Sequence, residues 1–229
     1  MKSNPSELQV ALETSARTTA LVYTSSQSST ATLILGHGAG AGQRSAFMVN
    51  IARNLAALGI DVVTFNFPYT EQGRRIPDRA PVLESCYRSV IETVPGRVES
   101  ARSRLFIGGK SMGGRIATQV AATDSLLPIA GLVMLGYPLH PPGRPDQRRD
   151  KHLPAIKRPM LFVQGSRDAF GTPAELSPIL EALDRYATLH VVEGGDHSFK
   201  LSSSQPARQA AVMGDIERTI AGWISRSAP

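Results

Sequence analysis

The sequence predicts an α/β fold, a mostly parallel central sheet with helices on both faces and a minimal or absent lid. Short runs that are almost wholly apolar, such as ATLILG, IDVVTF and LFIGG, alternate with longer segments of helical periodicity. Strands that are apolar on both faces belong to sheets covered on both sides. A chain of 229 residues with 41% hydrophobic content holds one such domain comfortably and two only with difficulty, so residues 1–229 are read as a single domain.

The elements follow in order. Two short strands, 8–14 and 19–23, pair antiparallel at an edge, and a Ser/Thr-rich loop occupies 24–30. A compact strand spans 31–36. Helical spacing over 46–58 puts Met48, Ile51, Leu55 and Leu58 on one face, with Gly59 as the C-terminal cap. A strand at 60–65 and a helix at 81–94, stopped before Pro95, come next. Strand 105–109 runs directly into a helix from 112 to about 122. Strands 129–135 and 160–164 flank a long Pro/Arg-rich connection. Thr172-Pro173 opens a helix over 174–186, strand 189–193 follows, and a helix at 206–224 carries the stripe Val212, Ile216, Ile220, Trp223 that covers the sheet.

Bulk properties narrow the function. The single cysteine, Cys86, excludes an internal disulfide and reads as core filler in a reducing compartment. No apolar segment has the length of a signal peptide or a membrane span, so the expected location is cytoplasmic, without membrane binding. The formal charge of +6 comes mostly from arginine. No zinc-finger, helix-turn-helix or RNP signature accompanies it, so nucleic acid is not an expected partner. No metal or cofactor is expected, and oligomeric state is not legible.

The most informative stretch is LFIGGKSMGGRIA, where a strand ends in Gly109-Lys110-Ser111-Met112-Gly113 and a helix begins. A G-x-S-x-G turn between strand and helix presents a serine at its apex, next to a helix N-terminus that favours negative charge. A phosphate-binding P-loop would need glycine at 104, where Arg104 stands. An inert glycine-rich turn remains the bland alternative. Ligands in parallel sheets bind at strand carboxyl ends, and two other ends carry partners for a serine: Asp168 in Gly165-Ser166-Arg167-Asp168, and His197 in Gly194-Gly195-Asp196-His197. Ser111, Asp168 and His197 follow the order nucleophile, acid, base. His197 would take the serine proton and Asp168 would orient the imidazole. Asp196 adjoins His197 but points elsewhere as a loop neighbour.

A fourth strand end reads Gly36-His37-Gly38-Ala39-Gly40. It also fits a loose dinucleotide fingerprint, but that reading wants an acid at the end of the next strand, whereas Asp61 lies at its beginning. The loop fits an oxyanion hole better, formed by the backbone N–H groups of Ala39 and Met112. His37 is read as a brace for this loop rather than as a proton carrier.

These motifs resemble the α/β-hydrolase superfamily over nearly the whole chain, in particular a small, lid-poor, dienelactone-hydrolase-like group. That group also includes a subunit of a eukaryotic NSL histone-acetyltransferase complex. The residues that carry the resemblance are Gly36-His37-Gly38-Ala39-Gly40, Phe65-Asn66-Phe67-Pro68-Tyr69, Gly109-Lys110-Ser111-Met112-Gly113-Gly114, Tyr137-Pro138-Leu139-His140-Pro141-Pro142 and Gly195-Asp196-His197-Ser198-Phe199. The resemblance implies a serine hydrolase with the triad Ser111, Asp168 and His197. Dienelactone hydrolases proper carry cysteine where this chain has Ser111. The expected activity is cleavage of a small ester or thioester through an acyl-enzyme, of the carboxylesterase or thioesterase type. The alternative is a catalytically silent interaction module, and acyl transfer to another acceptor shares the same intermediate. His37, Tyr69, Arg74 and Tyr137 are the expected substrate-facing residues. Two basic connections, with Arg74, Arg75 and Arg79 in one and Arg144, Arg148, Arg149, Lys151 and Lys157 in the other, are expected to rim the site and steer anionic acyl substrates.

Overall fold

Apolar strands need both faces covered, and the computed structural model, which describes residues 4–13, 16–29, 31–202 and 206–227, covers them. The elements run β1 (Ser6–Ala11), β2 (Arg17–Tyr23), β3 (Thr32–Gly36), α1 (Ala46–Ala57), β4 (Asp61–Phe65), α2 (Pro68–Glu71), α3 (Ala80–Thr93), α4 (Ser100–Ser103) and β5 (Leu105–Lys110). They continue with α5 (Met112–Thr123), β6 (Gly131–Leu135), β7 (Met160–Gly165), α6 (Pro173–Glu181), β8 (Ala187–Val192) and α7 (Pro206–Arg226). This is the α/β-hydrolase fold. The sheet order is β1-β2-β4-β3-β5-β6-β7-β8. β1, β2 and β4 pair antiparallel, and every pair from β4–β3 to β7–β8 is parallel.

The alternation of side chains divides the core in two. Ile34, Val63, Phe65, Ile107, Met134 and Phe162 pack with Leu83, Tyr87 and Val90 of α3 and Ile116 and Val120 of α5. Leu33, Leu35, Val62, Phe106, Val133 and Leu161 point the other way, against Ile51 and Leu55 of α1 and Ile216, Ile220 and Trp223 of α7. Burying one such aliphatic side chain stabilises the fold by about 1.5–3 kcal/mol. Cys86 lies within the first cluster, and burial pushes its thiol up to about 12, which removes it as a nucleophile.

Several boundaries have identifiable causes. Gly59, at φ +93°, closes α1 as expected: its N–H reaches Ala56 O at 3.2 Å and Ile60 N–H reaches Leu55 O at 3.2 Å, the two bonds of a Schellman cap. α6 stops at Glu181, short of the expected 186, because Asp184 turns to φ +53° and starts a separate 3-10 turn. β8 correspondingly begins at Ala187 rather than 189. β1 lies earlier than expected, and the expected end at Thr14 falls outside the described residues, as does Thr30 of the following loop. α2 and α4 lie between the expected elements. α2 starts with Pro68, whose missing N–H costs nothing at a first helical position. Residues 136–159, between β6 and β7, hold only the 3-10 turn Leu153–Ala155, so no lid stands there. Asp61, the acid at the wrong end for a dinucleotide site, accepts Ser25 N–H at 2.7 Å and the Ser100 hydroxyl at 2.6 Å. It pins the sheet at the end away from the carboxyl termini of the parallel strands.

Candidate active site

β5 ends at Lys110 and α5 begins at Met112, which leaves Ser111 alone to make the turn. Ser111 sits at φ +51°, ψ −114°, a conformation that costs a non-glycine residue about 1–3 kcal/mol. The turn can close because Gly113 has no side chain: a Cβ there would lie 2.2 Å from the Gly36 carbonyl oxygen. Ser111 N–H donates to Leu135 O at 3.0 Å, which ties the apex to the neighbouring strand.

The loop after β8 brings His197 Nε2 to 2.8 Å from Ser111 Oγ. The loop after β7 brings the carboxylate of Asp168 to His197 Nδ1, at 2.9 Å for Oδ1 and 2.8 Å for Oδ2. Asp168 is only 1% exposed, and its oxygens also accept Phe170 N–H at 2.8 Å and Gln164 Nε2 at 2.9 Å. Acceptors surrounded by N–H donors require the proton on Nδ1, which leaves Nε2 free to accept from the Ser111 hydroxyl. Gln164 is itself fixed, since Oε1 accepts Tyr137 N–H at 2.8 Å and Nε2 also donates to Gly171 O at 2.7 Å. The Phe170 ring lies against the imidazole, with centroids 4.2 Å apart. Asp196 takes no part in this chain; it accepts the N–H groups of Ser198 and Lys200 and shapes the turn.

Ser111 opens onto a cleft of about 280 Å³, lined also by Ala39 and Met112. Met112 is the first residue of α5, so its N–H has no acceptor within the helix. The Ala39 loop is braced from beneath. Phe67 N–H donates to His37 Nε2 at 3.1 Å, so the His37 proton sits on Nδ1, within 2.8 Å of Gly38 O. Burial pushes the His37 pKa down, in keeping with this neutral form. Tyr69 donates its hydroxyl to Ala39 O at 2.9 Å.

The substrate-facing expectations need correction. His37, Tyr69 and Tyr137 are buried beneath the cleft and do not line it. Their polar atoms are spent on the loops above: Tyr137 donates to Arg149 O at 2.7 Å. Arg74 points at Asp78 and Gln72 and does not line the cleft either. Of the eight basic residues expected to rim the site, only Arg149 does so. Local partners hold others, as Asp150 holds Arg148. Four contributors escaped the sequence reading. Arg115 lines the cleft one helical turn after Ser111, a spacing of four that could have revealed it. Gln164 stood out as a polar residue ending an apolar strand. Phe170 carried no signal.

The fourth is Lys110, only 9% exposed, whose ammonium donates to His197 O at 2.5 Å and lies over the rings of Phe199 and Phe47 at 5.5 and 6.0 Å. Burial lowers its pKa to about 8, against the pull of Asp168 and Asp196. The folded state therefore binds this proton less tightly than the unfolded chain. The charge is a burden below pH 8, on the order of 3 kcal/mol, that is relieved as pH rises toward 10.5. Lys110→Met is expected to be more stable than the wild type at pH 7, with the gap closing between pH 8 and 10.5. Urea unfolding across that range measures it, and a gap that does not vary with pH would contradict the assignment.

Among the described residues, no cluster of three or more His, Cys, Asp and Glu side chains is placed to hold a metal ion, and no helix is long and apolar enough to cross a membrane. Residues 29–225 match the family model described as an alpha/beta hydrolase domain. The chain belongs to that family. Similar solved structures agree in fold with this α/β-hydrolase. An α/β serine hydrolase without a lid from Xanthomonas campestris is 22% identical, with a TM-score of 0.74 over 97% of this chain and 96% of that one. A dienelactone hydrolase from Anabaena variabilis is 19% identical, also at 0.74, over 97% and 98%. The esterase domain of a Rhodothermus marinus protein is 13% identical, at 0.73, over 98% and 99%.

Proposed function

We propose that this α/β-hydrolase is a serine hydrolase that cleaves small esters or thioesters through an acyl-enzyme on Ser111. One observation carries the reading: an unbroken hydrogen-bond relay from Ser111 Oγ through His197 to Asp168, with distances of 2.8–2.9 Å. His197 Nε2 takes the hydroxyl proton as Ser111 Oγ attacks the substrate carbonyl carbon. The N–H groups of Ala39 and Met112 are assigned to the oxyanion that forms, and donors already in place contribute strongly because they need no reorganisation. The imidazolium then protonates the departing alkoxide or thiolate. Water repeats the sequence on the acyl-enzyme and frees the acid. Asp168 keeps the imidazole in the productive tautomer throughout.

The small cleft and the absence of a lid favour short acyl groups. A silent interaction module would have no use for a base and an acid restrained by Gln164, Phe170 and Gly171. A fluorophosphonate probe tests the proposal. We expect a covalent adduct on the peptide containing Ser111, located by mass spectrometry, and none in Ser111→Ala. A folded wild-type protein that stays unlabelled would overturn it.

A further inference from the structure

Two arginines share the cleft with Ser111. Arg115 is carried by α5, one turn beyond the serine, and Arg149 by the connection after β6. The Arg149 main chain is anchored by its N–H to Leu139 O at 2.8 Å and by the Tyr137 hydroxyl on its carbonyl. Among the described residues, no carboxylate stands within ion-pair distance of either guanidinium. Asp150 is held through both oxygens by Arg148. Asp78, which also lines the cleft, gives Oδ1 to Arg74 at 2.6 Å while its Oδ2 is buried without a hydrogen-bond partner, and Glu84 acts on Arg115 from beyond ion-pair distance.

The donors of the pair are underused. Arg115 gives one N–H to Gln119 Oε1 at 3.2 Å, while its Nε is buried without a hydrogen-bond partner. Among the described residues, the Arg149 guanidinium reaches only Pro138 O, at 3.5 Å. A buried donor left unmade is costly, and such exceptions point to a bound group. Burial, and then the charge of Arg149, push the Arg115 pKa down, whereas Tyr137 and Glu84 pull it up. The Arg149 charge thus makes the Arg115 charge harder to hold, and an anion beside both reverses that penalty.

We propose that Arg115 and Arg149 form a carboxylate subsite, so that the substrates are esters or thioesters bearing a second, free carboxylate, such as hemiesters of short dicarboxylic acids. The inference rests on the serine-hydrolase reading above. Guanidinium groups match carboxylates in shape and bind them with paired N–H bonds. The cleft is small, and Leu83, Pro138 and Phe170 give it an apolar lining for a few methylene groups. The Asp78 carboxylate in the same lining suits a singly charged ligand better than a dianionic phosphate.

The test uses matched esters, 4-nitrophenyl hydrogen glutarate against 4-nitrophenyl valerate. The wild type is expected to favour the hemiester in kcat/KM by about tenfold to a hundredfold, the usual range for hydrogen bonds to a charged group. That ratio should collapse at least tenfold in Arg115→Gln and, independently, in Arg149→Gln, chiefly through KM. Calorimetric titration of Ser111→Ala with monomethyl glutarate reads the subsite without turnover. Saturable binding lost in both arginine variants supports the proposal, even if phosphonate labelling fails and the hydrolase reading falls. No saturable binding, an unchanged ratio in folded variants, or tighter binding of inorganic phosphate than of monomethyl glutarate overturns it while leaving the hydrolase reading to the labelling result.

Discussion

Replacing Ser111 with alanine is expected to lower ester turnover by about 10⁵- to 10⁶-fold, the scale on which a serine–histidine pair works as a unit. Among the described residues the Ser111 hydroxyl has a single side-chain partner, His197 Nε2 at 2.8 Å, so its removal deletes the nucleophile and leaves the rest of the relay intact. Alanine meets the same backbone strain at φ +51° that serine already tolerates, so stability should change by less than about 1 kcal/mol. Turnover of 4-nitrophenyl acetate, read beside thermal unfolding of the same samples, checks both statements. Residual activity above about 1% in a folded variant would remove Ser111 from its role. His197→Ala added to Ser111→Ala should cost little more, because residues that act together lose their effect together.

Asp168→Asn should lower turnover by about 10⁴-fold, the effect of holding a catalytic imidazole in the wrong tautomer. Here the surroundings make the substitution worse than a simple loss of charge. Both oxygens of Asp168 accept protein donors besides His197, Phe170 N–H at one and Gln164 Nε2 at the other. An amide NH₂ in either place confronts one of these donors. Gln164 cannot turn over to relieve the conflict without breaking its bonds to Tyr137 N–H and Gly171 O. The asparagine NH₂ also faces Nδ1 and drives the ring proton onto Nε2, where it opposes the Ser111 hydroxyl. A stability loss of about 1–3 kcal/mol should accompany the kinetic one, as for any buried donor left unpaired. Steady-state kinetics and urea unfolding of the variant measure both. A fall in kcat of less than tenfold would mean that another group orients His197.

Much of the fold was legible because both of its signals are local. An apolar run such as TLILG has no stable place except a covered strand, and the spacing of Met48, Ile51 and Leu55 admits only a helix with one buried face. Boundaries were less legible where one backbone angle decided them. Asp184 ends the α6 region by turning to φ +53°, and nothing in ALDRYA announces that turn.

For the site, residue order is enough to say which chemical groups stand at the carboxyl ends of β3, β5, β7 and β8. A residue in the short loop after a strand is held near that strand's end. Ser111, Asp168, His197 and Ala39 could therefore be singled out before any distance was known. The structure brings the first three within hydrogen-bond reach of one another. Their surroundings are fixed by contacts between distant parts of the folded chain. Tyr69 and Tyr137 looked suited to substrate, yet long-range packing buries them, beside the bracing His37, beneath the loops above. Among the described basic residues, only Arg115 and Arg149 reach the serine's cleft. The direction of a long side chain on a loop depends on partners far away in the chain, such as the Tyr137 hydroxyl on Arg149 or Asp150 beside Arg148. No periodicity or spacing encodes those contacts; they exist only once the sheet has assembled.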